Sequence, residues 1–89
     1  MAEVHIPLAL RPLTNGAPKV DADGQKLGEI FDALEKQFPG IRARLCNGEE
    51  LRRFVRLAVN NDIVFDKFWF DFRVCPNDTV TIVTAIAGG

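Results

Sequence analysis

The chain has 89 residues, of which 47% are hydrophobic and 26% charged, and its formal net charge is -1. This length and composition predict a single globular domain over residues 1–89 and argue against a disordered or fibrous chain. The charge balance argues against a nucleic-acid partner, and no apolar run approaches the roughly 20 residues of a membrane span. Because the first residues also lack the basic start of a signal peptide, we expect a cytoplasmic protein.

Residues 3–10 form the first predicted strand, because their apolar side chains recur at every second position. These alternating residues are Val4, Ile6, Leu8 and Leu10. Proline and Asn-Gly residues in the segment 11–18 predict a turn, and residues 19–22 are expected to return as a second strand. The chain is therefore expected to open with a β-hairpin.

An amphipathic helix is predicted after the hairpin, with Asp23 as its N-cap and Pro39-Gly40 as its stop signal. The apolar residues of this segment share one helix face, namely Leu27, Ile30, Phe31, Leu34 and Phe38. The opposite face is polar and carries Glu29, Asp32, Glu35 and Lys36. We therefore expect the helix to pack one side against a flat surface.

The second half of the chain, after a polar stretch over residues 42–53, is predicted to be mostly extended. Residues 54–59 form a strand, and a tight turn leads from it into residues 63–65, which completes a second hairpin. Residues 79–86 alternate again, after a turn at 76–78, and form the last strand.

A single helix packed on a mixed sheet of four to five strands would bury all these apolar faces, so the predicted fold class is α+β. In that arrangement the last strand is central and lies parallel to the first, because the helix supplies the crossover. The tail beyond the last strand then projects from the sheet.

Few residues of the chain are suited to catalysis. His5 is the single histidine and lies in the first predicted strand, so an ordinary strand residue is a better interpretation than a metal ligand. Cys46 and Cys75 have no histidine or lysine beside them that would lower a thiol pKa, and both are expected to be free thiols with packing roles. We therefore expect a protein that is not an enzyme and binds no metal or cofactor of its own.

The segment 65–74 contains most of the aromatic residues of the chain, including Phe65 and Phe72. Phe68, Phe70 and Phe72 alternate as in a strand, which places Trp69 on the opposite side. Core packing is the favoured interpretation of the segment. The alternative is a partner-binding patch that includes Trp69 and Phe70, because aromatic side chains are enriched in interface hot spots.

The sequence ends in Ala87, Gly88 and Gly89, shortly after the last predicted strand. A terminal diglycine alone is weak evidence, because chain ends are often frayed. Its position next to a well-patterned strand predicts a thin projecting tail over residues 84–89, since glycine has no Cβ and an extended Gly-Gly can enter a narrow channel. Such a tail suits chemistry at the terminal carboxylate of Gly89. A carboxylate must first be activated, which requires an ATP-using partner.

Short stretches along nearly the whole chain carry a family resemblance. They are Val4-His5-Ile6-Pro7, Leu10-Arg11-Pro12, Thr14-Asn15-Gly16, Leu27, Leu34, Gly40-Ile41, Arg53-Phe54-Val55 and the final Ala85-Ile86-Ala87-Gly88-Gly89. The chain resembles the ThiS/MoaD family of ubiquitin-like sulfur carriers, and within it the CysO-type carriers of cysteine biosynthesis. The resemblance implies a ubiquitin-like β-grasp fold.

The resemblance also implies a function for the tail. Gly89 would be adenylated by an ATP-dependent ubiquitin-activating-like enzyme, converted to a thiocarboxylate, and docked on a synthase that accepts the sulfur. Ala87, Gly88 and Gly89 would then be the residues that enter the active sites of these partners. The free carrier is expected to be a monomer, because a tail that enters partner sites favours transient complexes.

Three alternatives stay open at the level of sequence. The sulfur acceptor can belong to molybdopterin, thiamine or another thio-metabolite synthesis instead of cysteine synthesis. The activated Gly89 can be passed to lysine amines of target proteins, in which case the chain is a protein modifier. A pure interaction module would use the sheet and the region of Trp69, with an inert tail.

Overall fold

The structure is a computed structural model that describes residues 1–64 and 66–84. The strands in these residues are β1 (Ala2–His5), β2 (Lys19–Ala22), β3 (Cys46–Asn47), β4 (Glu50–Leu51), β5 (Val55–Val59), β6 (Asp62–Val64) and β7 (Thr79–Thr84). The α-helices there are α1 (Leu27–Gln37) and α2 (Ile41–Leu45), and 3-10 helices span Leu8–Thr14 and Asp66–Phe68.

Five of these strands form one mixed sheet in the spatial order β2-β1-β7-β5-β6. Strand β7 is central: it runs parallel to β1 on one side and antiparallel to β5 on the other. The two outer pairs, β1 with β2 and β5 with β6, are antiparallel hairpins. This order confirms the predicted fold class and the central position of the last strand, and it is the ubiquitin-like β-grasp that the resemblance implied.

The core lies between α1 and one face of the sheet. From α1 it takes the buried side chains of Leu27, Ile30, Phe31 and Leu34, as predicted. From the sheet it takes inner residues of all five strands, namely Ala2, Val4, Ala22, Val55, Leu57, Val59, Val64, Val80 and Ile82. Phe38, the last residue of the predicted apolar face, is only half-buried and caps α1 at its carboxyl end.

The first strand is shorter than predicted. It ends at His5, and the residues from Leu8 to Thr14 form a 3-10 helix in place of the second half of the strand. Leu8 is consequently 75% exposed, whereas Leu10 is buried. Proline explains the difference, because Pro7 and Pro12 have no N–H group to donate to a strand ladder.

The start of α1 also differs from the prediction. The N-cap is Lys26, not Asp23, and it makes no side-chain capping hydrogen bond. The N–H groups of Leu27 and Gly28 instead donate to the carbonyl oxygens of Phe72 and Phe70, each at 3.0 Å. A distant loop therefore satisfies the first turn of the helix, which a local sequence signal cannot indicate.

The polar stretch over residues 42–53 contains α2 and the short β3–β4 hairpin. The Glu35 carboxylate accepts the backbone N–H groups of Gly40 and Arg42, at 2.9 and 3.0 Å. These hydrogen bonds favour the ionised carboxylate and hold the pKa of Glu35 below its usual value of 4.5.

Trp69 belongs to the core, which confirms the favoured interpretation for this residue and contradicts the alternative of a partner-binding patch. Its side chain is 2% exposed, its ring centroid lies 4.9 Å from that of Phe31, and its indole N–H donates to the carbonyl oxygen of Glu49 at 3.1 Å. The predicted strand alternation is also wrong, because a 3-10 helix and a turn occupy this segment. Phe68 is consequently 69% exposed. Phe65 lies outside the described residues.

The two cysteines differ in their surroundings. Cys46 is buried, as predicted, and burial raises the pKa of its thiol to about 11. Cys75 is exposed, so the predicted packing role is wrong for it. It opens the tight turn before β7, where its N–H donates to the carboxylate of Asp78 at 2.9 Å.

Candidate functional site

The candidate site is the carboxyl end of β7, because residues 85–89 are attached there. Strand β7 is paired with β5 from Val80 onward, and the pairing reaches Thr84 opposite Val55. The last described residue of the strand is therefore held by the middle of the sheet. The predicted tail residues Ala87, Gly88 and Gly89, and the predicted strand residues Ala85 and Ile86, lie outside the described residues.

Covalent geometry limits how far the tail can reach. Five residues follow Thr84 in the sequence, and an extended chain advances by at most about 3.5 Å per residue. Gly89 can therefore reach a point about 17 Å from the end of β7.

All five strands of the sheet present an end on the side of Thr84, including the carboxyl end of β6 at Val64, and we call this end of the sheet the tail end. Because β1 and β7 are parallel, their carboxyl ends lie together, and the antiparallel neighbours β2 and β5 contribute their amino ends. The tail end thus contains the segment 6–18, which links β1 to β2, and the segment 51–56, which leads into β5.

Two guanidinium groups are fixed by backbone carbonyls at the tail end. The Nη1 atom of Arg56 donates to the carbonyl oxygens of Arg53 and Val55, at 2.8 and 3.0 Å. The Nε atom of Arg11 donates to the carbonyl oxygen of Ile6 at 3.2 Å. The surroundings of the tail attachment are therefore basic, a feature that the sequence analysis missed. Its signal is that residues 6–18 and 51–56 contain arginines but no Asp or Glu.

His5 is the last residue of β1, a strand residue as predicted, and therefore lies at the tail end. Its Nε2 atom is 2.7 Å from the Glu3 carboxylate, and this hydrogen bond lowers the pKa of Glu3 below its usual 4.5. Cys46 is buried in the core, and its raised pKa keeps the thiol protonated at neutral pH. In the part of the chain that the structure describes, no group of three His, Cys, Asp or Glu residues could hold a metal ion.

An open depression borders the aromatic segment, with Trp69 and Phe70 on one side and Glu50 and Arg53 on the other. Phe70 is half-buried and contacts Trp69 edge to face, with 5.4 Å between the ring centroids. Its predicted role in a partner surface stays a prediction. Within residues 1–64 and 66–84, no helix is long and apolar enough to cross a membrane.

A β-grasp sheet whose central strand leads into a diglycine defines the class of ubiquitin-like proteins. The family model of the ThiS family matches residues 4–89, and the chain belongs to that family. The predicted family is thus confirmed over nearly the full length of the sequence.

The chain is similar to proteins that carry a functional name and to proteins of known structure. The chain is 38% identical over 89 residues to the sulfur carrier protein CysO of Mycobacterium tuberculosis, and the match covers 97% of this chain and 96% of the relative. The crystal structure of that organism's CysO superposes with a TM-score of 0.89 at 35% identity, covering 97% of this chain and 100% of the other. The structure of the Amycolatopsis orientalis BexX/CysO complex gives a TM-score of 0.91 at 40% identity, covering 100% of both chains.

Proposed function

We propose that this chain is a sulfur carrier and that its working group is the carboxylate of Gly89. In this role the chain is a co-substrate that partners act on, and it needs no active site of its own. Membership of the ThiS family and the likeness to proteins named sulfur carrier protein CysO support the proposal.

The observation that carries the proposal is the position of β7. The strand that leads into the diglycine lies in the middle of the sheet and is paired up to Thr84. A rigid sheet therefore presents a short glycine-ended segment, which is the arrangement needed to insert a carboxylate into a partner while the domain is held at the entrance.

The proposed chemistry has two steps at Gly89. In the first, the carboxylate attacks the α-phosphate of ATP in an activating partner, which gives an acyl-adenylate and releases pyrophosphate. In the second, a sulfide donor attacks the acyl carbon, AMP leaves, and a thiocarboxylate remains on Gly89. The adenylate is required because a resonance-stabilised carboxylate is a poor electrophile.

For the sulfur acceptor we propose an activated serine, bound by a cysteine-synthase-like enzyme. The likeness to CysO supports this pathway over molybdopterin or thiamine synthesis. The CysO protein of Amycolatopsis orientalis has been crystallised in a complex with BexX, which supports the view that the present chain also acts through protein partners.

Intact-protein mass spectrometry tests the proposal. The chain ending at Gly89 is incubated with ATP, a sulfide source and the ATP-dependent activating enzyme of its host. We expect a mass gain that corresponds to the replacement of one oxygen by sulfur, located at Gly89 by fragmentation. A chain that lacks Gly89 should show no gain, whereas the Lys36→Ala variant, changed on the exposed face of α1, should react like the unmodified chain.

Two results would count against the carrier function. Normal cysteine production in cells that contain only the chain without Gly89 would show that the tail is not needed. A ladder of lysine-linked products that survives boiling and reductant, with no thiocarboxylate, would favour the protein-modifier alternative.

A further inference from the structure

The charged residues of the fold are segregated along the strand direction. At the tail end, the loop 6–18 carries Arg11 as its one charged residue, and the segment 51–56 carries Arg52, Arg53 and Arg56 with no acidic residue. Lys19 starts β2 at the same end and is exposed, as are Arg53 and Arg56.

The opposite end of the sheet carries more acidic than basic residues. The segments that lie there contain Asp21, Asp23, Asp62 and Asp78. They also have basic neighbours, because Arg73 shares an open depression with Asp23 and Pro76 and forms a β-bridge with Lys26. Glu3 belongs to the same end, because it is paired with Asp21 across the β1–β2 hairpin and with Thr79 of β7.

In the short β1–β2 hairpin the two ends are in electrostatic contact, because the hydrogen bond from His5 and the charge of Lys19 both lower the pKa of Glu3. Along the central strand they are well separated. Strand β7 spans about 17 Å at roughly 3.3 Å per residue, whereas the Debye length at physiological salt is about 8 Å. The net charge of -1 therefore combines one end with an excess of basic residues and another with an excess of acidic residues.

Part of the basic charge is offset locally. Glu49 and Glu50 share an open depression with Arg53 and Lys67. Among the described side chains, neither Arg11 nor Arg56 forms an ion pair with a carboxylate, and their guanidinium groups are anchored by backbone carbonyls instead. These groups keep their charge for an interaction outside the chain.

We propose that the tail end docks on an acidic rim that surrounds the tail-accepting channel of the activating enzyme. The identity of this partner rests on the proposed function. An acidic rim attracts the basic end and repels the acidic end, so the carrier approaches with its tail forward. The same arginines offset the negative charge that the Gly89 carboxylate brings to an acidic entrance.

The experiment measures the dissociation constant between the carrier and the purified activating enzyme of its host, without ATP, at low and at high NaCl. The test variant is Arg53→Glu/Arg56→Glu. The matched control is Lys36→Glu/Arg44→Glu, which changes the net charge equally but on exposed residues of α1 and α2. A neutral variant, Arg53→Gln/Arg56→Gln, and circular dichroism of all variants guard against a folding defect.

We expect the charge-reversed variant to bind at least about tenfold more weakly than the control at low salt, and the unmodified chain to weaken as salt rises. The neutral variant should fall between the two. Equal binding by the test and control variants, or salt-independent binding by the unmodified chain, would overturn the inference. Tighter binding of the carrier to a short DNA duplex than to the enzyme would also overturn the inference.

The docking inference and the carrier function fail in different ways. If ATP and sulfide still produce the thiocarboxylate but charge reversal leaves the dissociation constant unchanged, the docking inference is wrong and the carrier function is supported. If charge reversal weakens binding but the unmodified chain forms no thiocarboxylate, the docking inference is supported and the carrier function is wrong.

Discussion

Asn60 shows how one residue can hold the central strand in place. Its backbone is left-handed, with φ of 56°, a conformation that Asn tolerates better than most residues. Its side-chain oxygen accepts the N–H of Thr79 at 3.0 Å, and its side-chain nitrogen donates to the carboxylate of Asp78 at 3.1 Å. The turn between β5 and β6 is therefore bound to the start of β7.

We expect Asn60→Ala to lower the free energy of unfolding by about 1–3 kcal/mol, because alanine strains the left-handed backbone and both side-chain hydrogen bonds are lost. Urea denaturation at neutral pH measures the change. The control is Asn61→Ala in the same turn, where the backbone is not left-handed. Equal effects at the two positions would contradict this account.

The ionisation of Glu35 makes the stability of the fold depend on pH. Its folded-state pKa lies below 4.5, so its hydrogen bonds to Gly40 and Arg42 stabilise the protein fully above pH 4.5 and are lost as the pH falls through the folded-state pKa. We expect Glu35→Gln to be less stable than the unmodified chain near neutral pH and to approach it as the pH falls through the folded-state pKa of Glu35.

Urea denaturation at several pH values checks this convergence. The control is Glu50→Gln, changed at an exposed carboxylate of β4. It should lose stability toward acid as the unmodified chain does. A constant difference between Glu35→Gln and the unmodified chain at every pH would contradict the assignment.

At the scale of elements, the segment 69–74, which we call the aromatic loop, and helix α1 stabilise each other. The carbonyl groups of Phe70 and Phe72 in the loop accept hydrogen bonds from the first turn of the helix. In return, the Phe70 ring packs directly on the helix backbone at Gly28, where no side chain is in the way. A Cβ built on Gly28 would lie 2.8 to 2.9 Å from atoms of the Phe70 ring. This close approach explains a glycine inside a helix, where it is otherwise unfavourable.

We expect Gly28→Ala to destabilise the protein by about 1–2 kcal/mol, because overpacking against Phe70 outweighs the better helix propensity of alanine. In a Phe70→Ala background the same substitution should be neutral or stabilising. A double-mutant cycle of unfolding free energies measures this coupling. Additive effects would show that Phe70 does not set the requirement for glycine.

Sequence patterns predicted an element correctly where the spacing of its own apolar residues determines its buried face. The apolar spacing of Leu27 to Leu34 identified the helix, and the alternation of Val80 and Ile82 identified the last strand. Patterns failed where distant contacts decide the structure. The start of α1 depends on carbonyls some forty residues later, and Trp69 is buried because Phe31 packs on it.

For the candidate site, the sequence predicted the diglycine and the central strand that leads to it. It did not indicate the basic tail end, because Arg11, Lys19 and Arg56 are far apart in sequence and meet only through the strand order. Charge counted over the whole chain averages these residues with the aspartates of the opposite end.

At the scale of the whole molecule, stability and the proposed function are located in different parts of the chain. Every buried residue that the structure describes lies between Ala2 and Ile82. We expect deletion of Gly88 and Gly89 to leave the free energy of unfolding unchanged within error and to abolish thiocarboxylate formation. Thermal or urea unfolding and intact mass, measured on the same sample, check both parts. A clear loss of stability would show that the tail also supports the fold.

The outer edge of the sheet bears on the expected monomer. The side-chain amide of Gln37 donates to the carbonyl oxygen of Asp21 at 2.8 Å, so α1 covers part of the exposed edge of β2. We expect sedimentation analysis to give a monomer for the unmodified chain, with self-association stronger in Gln37→Ala than in Lys36→Ala. A dimer of the unmodified chain would contradict the expectation.

The late position of β7 and of the aromatic loop has a consequence for biosynthesis. While the chain emerges from the ribosome, the opening hairpin and α1 appear first, but the helix cannot receive its terminal hydrogen bonds until residues 70–72 are available. The two hairpins of the sheet also stay apart until β7 arrives between them. We therefore expect a chain that is terminated before β7 to lack a stable fold and to be open to proteases, whereas a chain that folds already contains the strand from which the diglycine extends.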